Sequence, residues 1–348
     1  MKKAICLVLV LVMAGSLMTG LAGCADKDTV TINVFNWGEY IDPDVLKMFR
    51  QETGIRVNYQ TFNTNEDMYT KIASANSSYD VIFPSDYMIQ RMREEGLLLP
   101  VDYSNVPNAE FVDEKFQNPS YDPGSMFSVP YMWGTVGILY NEEMVDDPVD
   151  SWAILWNEKY SQQILMQDSQ RDSLMIALLK LGYSMNTVKE EEITAAKNEL
   201  IRQKPLVLGY VLDEVLDKMV NGEAALAVVW SGVAVLAGWE NESLKYVIPK
   251  EGSNVWVDAM AIPITSRNKK EAEIFINYMS RPEIAKMNAE YIGYSPALAK
   301  AVELLDEDWQ NNEAAFPSAE DLARCEYFRY DKDAIALYNR AWTEIISE

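Results

Sequence analysis

The stretch TVTINVFNWGEYIDPDVLKMFRQETGIRVNYQTF, residues 29–62, indicates how the chain is built. Apolar and polar residues alternate over 30–34, which predicts a strand. Asp42 suits the N-cap of a following helix, Pro43 suits its first turn and Gly54 suits its end. The alternating run IRVNYQTF then predicts a second strand. This strand–helix–strand order favours a mostly parallel sheet covered by helices.

The same alternation continues along the 348 residues, a length that exceeds what one hydrophobic core usually holds. Patterns typical of strands recur in YDVIFP, VPYMWGTVGILYN, GEAALAVVW and NVWVDAMAIPI, with helical patterns among them. Extended segments near 131–136 and 250–258 join two α/β blocks. We therefore predict an α/β protein of two lobes, which bends at these crossings and closes a cleft on a ligand.

The predicted boundaries give the first lobe two separate segments. They are a signal peptide at 1–23, a tether at 24–28, first-lobe segments at 29–134 and 256–300, a second-lobe segment at 135–255, and a helical C-terminal segment at 301–348. We expect the C-terminal segment to pack mainly on the second lobe. Such boundaries imply that the chain passes between the lobes more than once.

The first residues have the form of a secretory signal. MKK is basic, AICLVLVLVMAG is apolar but short for a membrane span, and LAGC ends the run. LAGC resembles the cleavage box of bacterial lipoproteins, which implies that Cys24 becomes the lipidated first residue. An ordinary signal peptide with a coincidental cysteine is the alternative. We expect the mature chain to lie outside the cytoplasm, held to the membrane by the lipid on Cys24.

Composition excludes several classes of function. The chain has no histidine, which rules out Ser-His-Asp and Cys-His catalysis and histidine-containing metal sites. A net charge of -23 repels nucleic acid and anionic lipid. Cys6 lies in the signal and Cys24 in the box, so Cys325 has no partner for an intramolecular disulfide. Neither a glycine-rich phosphate loop nor calcium-loop spacing occurs, so no cofactor and no metal are expected.

Aromatic and acidic side chains recur where the predicted strands end. In open α/β sheets, ligands bind beyond the carboxyl ends of the strands. The candidate binding residues are Trp37, Glu39, Tyr40, Ser85, Tyr87, Trp230, Trp256, Asp258 and Tyr294, together with Asp168, Ser169 and Asp172 at the start of a helix. Aromatic faces attract ammonium groups, and carboxylates accept their hydrogen bonds. The set therefore favours a slender cation with methylene groups between its charges.

Each of these residues also has an ordinary structural interpretation. A tryptophan at the end of a strand often belongs to the core. Asp168 and Asp172 can cap a helix, Glu39 can pair with a surface lysine, and Tyr87 and Tyr294 can serve the packing of the lobes. Only the shared position at several strand ends favours the binding interpretation.

Six stretches carry a resemblance to a known family. They are FNWGEYIDPDVLKMFRQETGIRVNY, YDVIFPSDYMIQRMREEGLL, VPYMWGTVGILYN, LAVVWSG, VIPKEGSNVWVDAMAIP and INYMSRPEIAKMNAEYIGYSP. In this order, which covers nearly the whole mature chain, they resemble the spermidine/putrescine-binding proteins of bacterial polyamine ABC importers. The resemblance implies a type II periplasmic-binding-protein fold, a polyamine ligand and an ABC permease as partner. It further implies a monomer that has no enzymatic activity.

The resemblance also implies roles for the candidate residues. The aromatic ones would line the cleft and wall the methylene chain: Trp37, Tyr40, Trp230, Trp256 and Tyr294. The acidic ones would each meet an amine: Glu39, Asp172 and Asp258. Ser85 and Tyr87 would lie on the same lobe as Trp37. Asp172 stands where the family usually has a glutamate.

Two positions depart from the pattern of the spermidine-preferring members. Those members carry an aspartate where this chain has Ser169, and a glutamine where this chain has Phe328. Both changes alter the polar contacts available to a polyamine, so the preference between spermidine and putrescine stays open. Two other functions remain as alternatives: a receptor of the same fold for another solute and, more remotely, a surface glycosidase that uses two carboxylates.

Overall fold

The computed structural model describes residues 30–74 and 76–348. Cys24, the predicted signal peptide and the tether lie outside these residues. Within the described residues, no helix combines the length and the apolar composition that a membrane crossing requires.

Twelve strands of the described residues form one hydrogen-bonded system. Their bounds are β1 Thr31–Trp37, β2 Arg56–Phe62, β3 Val81–Ile82, β4 Leu98–Leu99, β5 Ser128–Asn141, β6 Ile164–Gln167, β7 Val207–Val211, β8 Leu226–Trp230, β9 Leu244–Val247, β10 Ser253–Pro263, β11 Ser295–Pro296 and β12 Cys325–Glu326. The main path runs β2-β1-β3-β10-β5-β8-β6-β7. β1 is parallel to β2 and β3, and β6 is parallel to β7 and β8.

Two long antiparallel strands connect the parallel groups. β5 and β10 pair with each other over most of their length. β10 borders β3 of the first group, and β5 borders β8 of the second. The parallel groups confirm the α/β class, and β5 and β10 overlap the segments where the sequence predicts crossings. The bounds of the two lobes stay predictions.

Helices lie among the strands in chain order. Their bounds are α1 Pro43–Thr53, α2 Asn65–Ile72, α3 Asp86–Glu94, α4 Gln170–Lys180, α5 Glu190–Gln203, α6 Val215–Val220, α7 Ser231–Glu240, α8 Lys269–Met279, α9 Pro282–Ile292, α10 Ala299–Val302, α11 Glu307–Gln310, α12 Ala319–Leu322 and α13 Ile335–Ser347. α1 begins and ends as the sequence predicts. The Asp42 side chain accepts a hydrogen bond from the main-chain nitrogen of Asp44, and Gly54 adopts the left-handed conformation with a φ of 74°.

Two clusters of buried apolar side chains form the cores. The first includes Phe35 of β1 and Phe49 of α1. The second lies around β6, β8 and α4 and includes the fully buried Trp152. Along β10, Val257 belongs to the first cluster and Trp256 to the second. The candidate residues on β10 therefore lie where the two cores meet.

The C-terminal segment contacts both cores. Its last helix, α13, packs against α4 and α5 beside the second cluster. Upstream of α13, the side chain of Trp309 lies in the first cluster and meets Trp239 edge-on, with the ring centroids 5.4 Å apart.

Candidate ligand-binding site

Three aromatic rings meet edge-on where the two cores join. Tyr40 follows β1, Trp256 lies on β10 and Tyr294 precedes β11. The ring centroid of Tyr294 is 5.6 Å from that of Tyr40 and 5.2 Å from that of Trp256. The hydroxyl of Tyr131 donates to the main-chain oxygen of Tyr40 at 2.9 Å and so fixes the main chain of Tyr40. Together these contacts make an ordered aromatic wall.

Two glycines allow the rings to take these positions. A Cβ at Gly134 would lie 2.7 Å from Cζ2 of Trp256. A Cβ at Gly232 would lie 2.4 Å from Cδ1 of Tyr294. Any larger residue at either position would therefore displace a ring of the aromatic wall.

Asp258 is the buried acid beside the aromatic wall. It is 5% exposed, and its Oδ1 accepts a hydrogen bond of 2.6 Å from Ser85 Oγ. Asn65 Nδ2 donates to Ser85 Oγ at 3.0 Å, which orients that hydroxyl. Burial raises the pKa of Asp258 to about 7, although Ser85 and the nearby hydroxyl of Tyr40 act to lower it. A carboxyl in this environment either keeps its proton or ionises when a cation arrives.

Asp172 forms a second acidic position in the first turn of α4. Ser169 Oγ donates to Asp172 Oδ2 at 2.6 Å, and Oδ1 of Asp172 has no hydrogen-bond partner. Burial raises the pKa of Asp172 to about 6, opposed by Ser169, Arg171 and Trp230. Ser169 is the N-cap residue of α4 but makes no capping hydrogen bond with its side chain. Its hydroxyl serves Asp172 instead, and helix capping does not account for the carboxylate of Asp172.

Tyr87 lies near Asp172, and Phe328 packs against Tyr87. The hydroxyl of Tyr87 donates to Glu66 Oε1 at 3.1 Å, and the rings of Tyr87 and Phe328 meet edge-on at 6.0 Å. The guanidinium carbon of Arg171 lies 4.5 Å from the Phe328 ring centroid. Phe328 is thus packed under a protein cation and adds no polar group at this end of the site.

Trp37, Glu39 and Asp168 have different surroundings. The ring of Trp37 packs on Phe62 at 4.6 Å, and its Nε1 donates to the main-chain oxygen of Phe83 at 2.9 Å. Glu39 is exposed and has a left-handed φ of 30°. Asp168 is exposed as well. The contacts that the structure gives these three residues are with residues outside the candidate set.

Sequence reasoning missed two residues of this region. Asn65, which follows β2, orients Ser85 as described above. Asp213 follows β7, and its Oδ2 lies 3.0 Å from the position that a Cβ would take at Gly38. Burial and the nearby Glu39 raise the pKa of Asp213. Both residues stand just beyond strand ends, so the criterion that selected the other candidates could have found them.

Several buried polar atoms of the site have no partner within the described protein. They are Tyr40 Oη, Asp172 Oδ1 and Trp256 Nε1, on residues that are at most 7% exposed. Most buried polar groups of folded proteins are hydrogen-bonded, so these atoms are typical of a binding site. Among residues 30–74 and 76–348, no three acidic or cysteine side chains converge to hold a metal ion. Two separated carboxyls beside aromatic faces can bind two separated cationic donors.

Comparison with known proteins identifies the class. Residues 44–317 match the profile of the family described as bacterial extracellular solute-binding proteins. The spermidine/putrescine-binding periplasmic protein of Salmonella typhimurium is 36% identical over 337 residues, which cover 96% of this chain and 97% of that protein. The chain belongs to the bacterial extracellular solute-binding protein family.

Solved structures share the whole fold. A candidate spermidine/putrescine ABC transporter protein of Listeria monocytogenes matches with a TM-score of 0.88 at 42% identity, covering 91% of this chain and 98% of that one. The TpPotD lipoprotein of Treponema pallidum matches with a TM-score of 0.82 at 27% identity, covering 90% and 99%. These matches confirm the two-lobed, type II periplasmic-binding-protein fold. The named relatives are binding and transport proteins.

Proposed function

We propose that this protein captures a polyamine, spermidine or putrescine, outside the cytoplasm and delivers it to an ABC importer. The pair of buried carboxyls at Asp172 and Asp258 carries the proposal. Each is 5% exposed and accepts a hydrogen bond from a serine, and neither forms an ion pair with a lysine or arginine of the described residues. The polyamine-binding relatives support the same class of ligand.

The energies of such contacts suit a small diamine. A complex of micromolar affinity requires about -8 kcal/mol. A hydrogen bond to a charged group contributes about 1.5–3 kcal/mol, and a desolvated cation–π contact about 2 kcal/mol. Two ammonium groups, each with a carboxylate and an aromatic face, therefore supply about 7–10 kcal/mol, which is the size that micromolar affinity requires. The wall of Tyr40, Trp256 and Tyr294 offers apolar surface to the methylene groups between them.

The choice between spermidine and putrescine depends on the end of the site near Asp172. Ser169 already donates its hydroxyl to Asp172, and Phe328 is packed beneath Arg171. Neither residue supplies a further acid or amide there for a third amine. The proposed ligand class is accordingly a polyamine, with the shorter and the longer members both to be tested.

In the cell, the protein would act as a monomer held to the membrane by a lipid on Cys24, with its closed lobes docked on the permease. The LAGC box supports the lipid anchor, and one structural relative is described as a lipoprotein. Cys24→Ser in the full chain should move the protein from the membrane fraction to the soluble fraction. A variant that stays in the membrane fraction would contradict the anchor.

Calorimetric titration of the chain that begins after Cys24 tests the ligand. Spermidine or putrescine should bind saturably with one-to-one stoichiometry. The control ligand is 1,4-butanediol, which has the carbon chain of putrescine but no charge, and it should not bind. A folded protein that binds neither polyamine would refute the proposed function.

A further inference from the structure

Asp86 is a buried acid directly behind the site. It is the first residue of α3, it is 1% exposed, and no part of the proposed function uses it. Its Oδ1 accepts a hydrogen bond from the main-chain nitrogen of Tyr87 at 2.6 Å, and its Oδ2 accepts one from the main-chain nitrogen of Val257 at 3.1 Å. Among the described residues it forms no ion pair with a lysine or arginine.

The bond to Val257 has a specific place in the sheet. Val257 lies between Trp256 and Asp258 on β10, and both of these are candidate binding residues. β10 pairs with β3 at Ala261, beyond this point. The chain after β3 stays beside β10 as far as the bridge between Ser85 and Asp258, and α3 begins at the next residue, so no strand residue lies opposite Val257. The carboxylate of Asp86 takes the place of the missing strand partner.

The turn between β3 and α3 holds an irregular part of β10. The pairing of β10 with β5 shifts register between Asp258 and Ala259. Around this bulge, the main-chain oxygen of Pro84 accepts a hydrogen bond from the nitrogen of Ala259 at 3.1 Å, and Ser85 binds the Asp258 side chain. Bulges redirect side chains and occur next to functional sites. Asp86 adds a third contact between this turn and β10, at Val257, next to Trp256.

We infer that Asp86 is a positioning residue for polyamine binding, which fixes Val257 so that Trp256 and Asp258 face the ligand. The inference rests on the proposed function. Asp86 itself does not contact the polyamine.

The charge of Asp86 is coupled to the site. Burial raises the pKa of Asp86 to about 8, against the hydrogen bonds from Val257 and Tyr87. The charged and titratable groups that face it are Asp258 of β10, Arg171 of α4, and Tyr121 and Tyr327 of the intervening loops. Because Asp258 also titrates near neutrality, the two acids retain protons in the free protein. An ammonium beside Asp258 favours the ionised forms, so binding should release protons.

Two substitutions test this role in the chain that begins after Cys24. Asp86→Asn keeps the shape of the side chain, removes the ionisable carboxyl, and leaves one oxygen instead of two to accept from the main-chain nitrogens of Tyr87 and Val257. Asp86→Ser keeps one oxygen acceptor and suits the start of a helix, so it provides the same comparison if the asparagine variant folds poorly. Titrations with putrescine and spermidine in buffers of different ionisation enthalpy give both the affinity and the number of protons released. We expect affinity to fall about tenfold and fewer protons to be released at neutral pH.

Asp80→Asn is the matched control. Asp80 is also 1% exposed and accepts hydrogen bonds from the main-chain nitrogen of Asn33 at 2.9 Å and from Ser266 Oγ at 2.7 Å. It precedes β3, at the end opposite to the site, so its loss should lower stability but leave affinity and proton release unchanged.

The outcomes separate the inference from the proposed function. Asp86 variants that bind and release protons like the unmodified protein overturn the inference. So does an Asp80→Asn variant that loses as much affinity as Asp86→Asn, because the effect would then be general destabilisation. An unmodified protein that binds neither polyamine overturns the proposed function instead.

Discussion

Ser85 and Asp258 stand 173 residues apart in the sequence and are joined by a hydrogen bond of 2.6 Å. The bond ties the start of α3 to the return strand β10. Asn65 extends the connection to α2 by donating to Ser85. The acid proposed to hold one ammonium is therefore oriented by two elements that precede it by about half of the chain.

Asp258→Asn should weaken polyamine binding by more than about tenfold, or ~1.4 kcal/mol. The substitution removes the buried negative charge that faces the ammonium and leaves the volume of the side chain unchanged. Calorimetry with putrescine and spermidine measures the effect. Asp122→Asn is the control, because Asp122 is equally buried but accepts hydrogen bonds from the main chain of Phe127 and Ser128. Unchanged affinity of Asp258→Asn would remove Asp258 from the site.

Trp256→Ala should weaken polyamine binding while the circular dichroism spectrum stays that of the folded protein. The ring meets Tyr294 edge-on and lies where the two cores join, so its loss removes a face of the aromatic wall. Trp152→Ala is the contrasting variant, because Trp152 is fully buried in the second cluster. Its loss should destabilise the fold by about 3–5 kcal/mol. If Trp256→Ala unfolds the protein to the same extent, Trp256 is a core residue.

Polyamine affinity should rise with pH between about 5 and 8. Burial raises the pKa of Asp258 to about 7 and that of Asp172 to about 6, and an ammonium binds their ionised forms. Calorimetric titrations across this range measure the trend. Affinity that does not change with pH, in a protein that stays folded, would mean that neither acid holds the ligand.

The stability of the free protein should follow pH in the opposite direction. A carboxyl whose pKa is raised by folding stabilises the protein below its unfolded pKa, and this contribution is lost as the pH rises through the folded value. For Asp172 and Asp258, the loss falls between about pH 4 and pH 7. Thermal denaturation with and without putrescine should therefore show a ligand-induced increase in Tm that grows with pH. A constant increase would contradict the assignment of these two groups.

Gly232→Ala should weaken polyamine binding by displacing Tyr294, whose ring would lie 2.4 Å from the new Cβ. Gly238→Ala is the control on the same helix, α7, where no heavy atom lies within 4 Å of the new Cβ. The control should gain up to about 1 kcal/mol of stability from its better helix propensity and keep its affinity. Equal affinities of the two variants would show that the position of Tyr294 does not matter for binding.

Local patterns in the sequence predict most of the fold. Alternation over 30–34, the cap at Asp42 and the left-handed Gly54 are short-range signals, and the structure has each of them. Trp256 and Asp258 are two residues apart and lie on the same face of β10, because the bulge of β10 comes after this pair. Such signals depend on neighbours in the chain and are therefore visible without the tertiary structure.

The supporting contacts of the site could not be predicted in the same way. The bond from Val257 to Asp86 and the approach of Asp213 to Gly38 join residues distant in sequence. The first contact depends on where the pairing between β3 and β10 ends. The second depends on how close the loop after β1 lies to the loop after β7. No local pattern in the sequence encodes either. The position of Asn65 just beyond β2 could have been predicted, but its hydrogen bond to Ser85 could not.

The placement of β10 in the middle of the sheet has a consequence for biosynthesis. β1, β2 and β3 are made early, but the strand that pairs with Ile82 of β3 is Ser253–Pro263. Until the ribosome has passed that strand, the edge of β3 is open and the first core cannot close. Long-range pairings of this kind form slowly. A nascent chain that remains unfolded for this reason is compatible with export before folding, and the Salmonella typhimurium relative is a periplasmic protein.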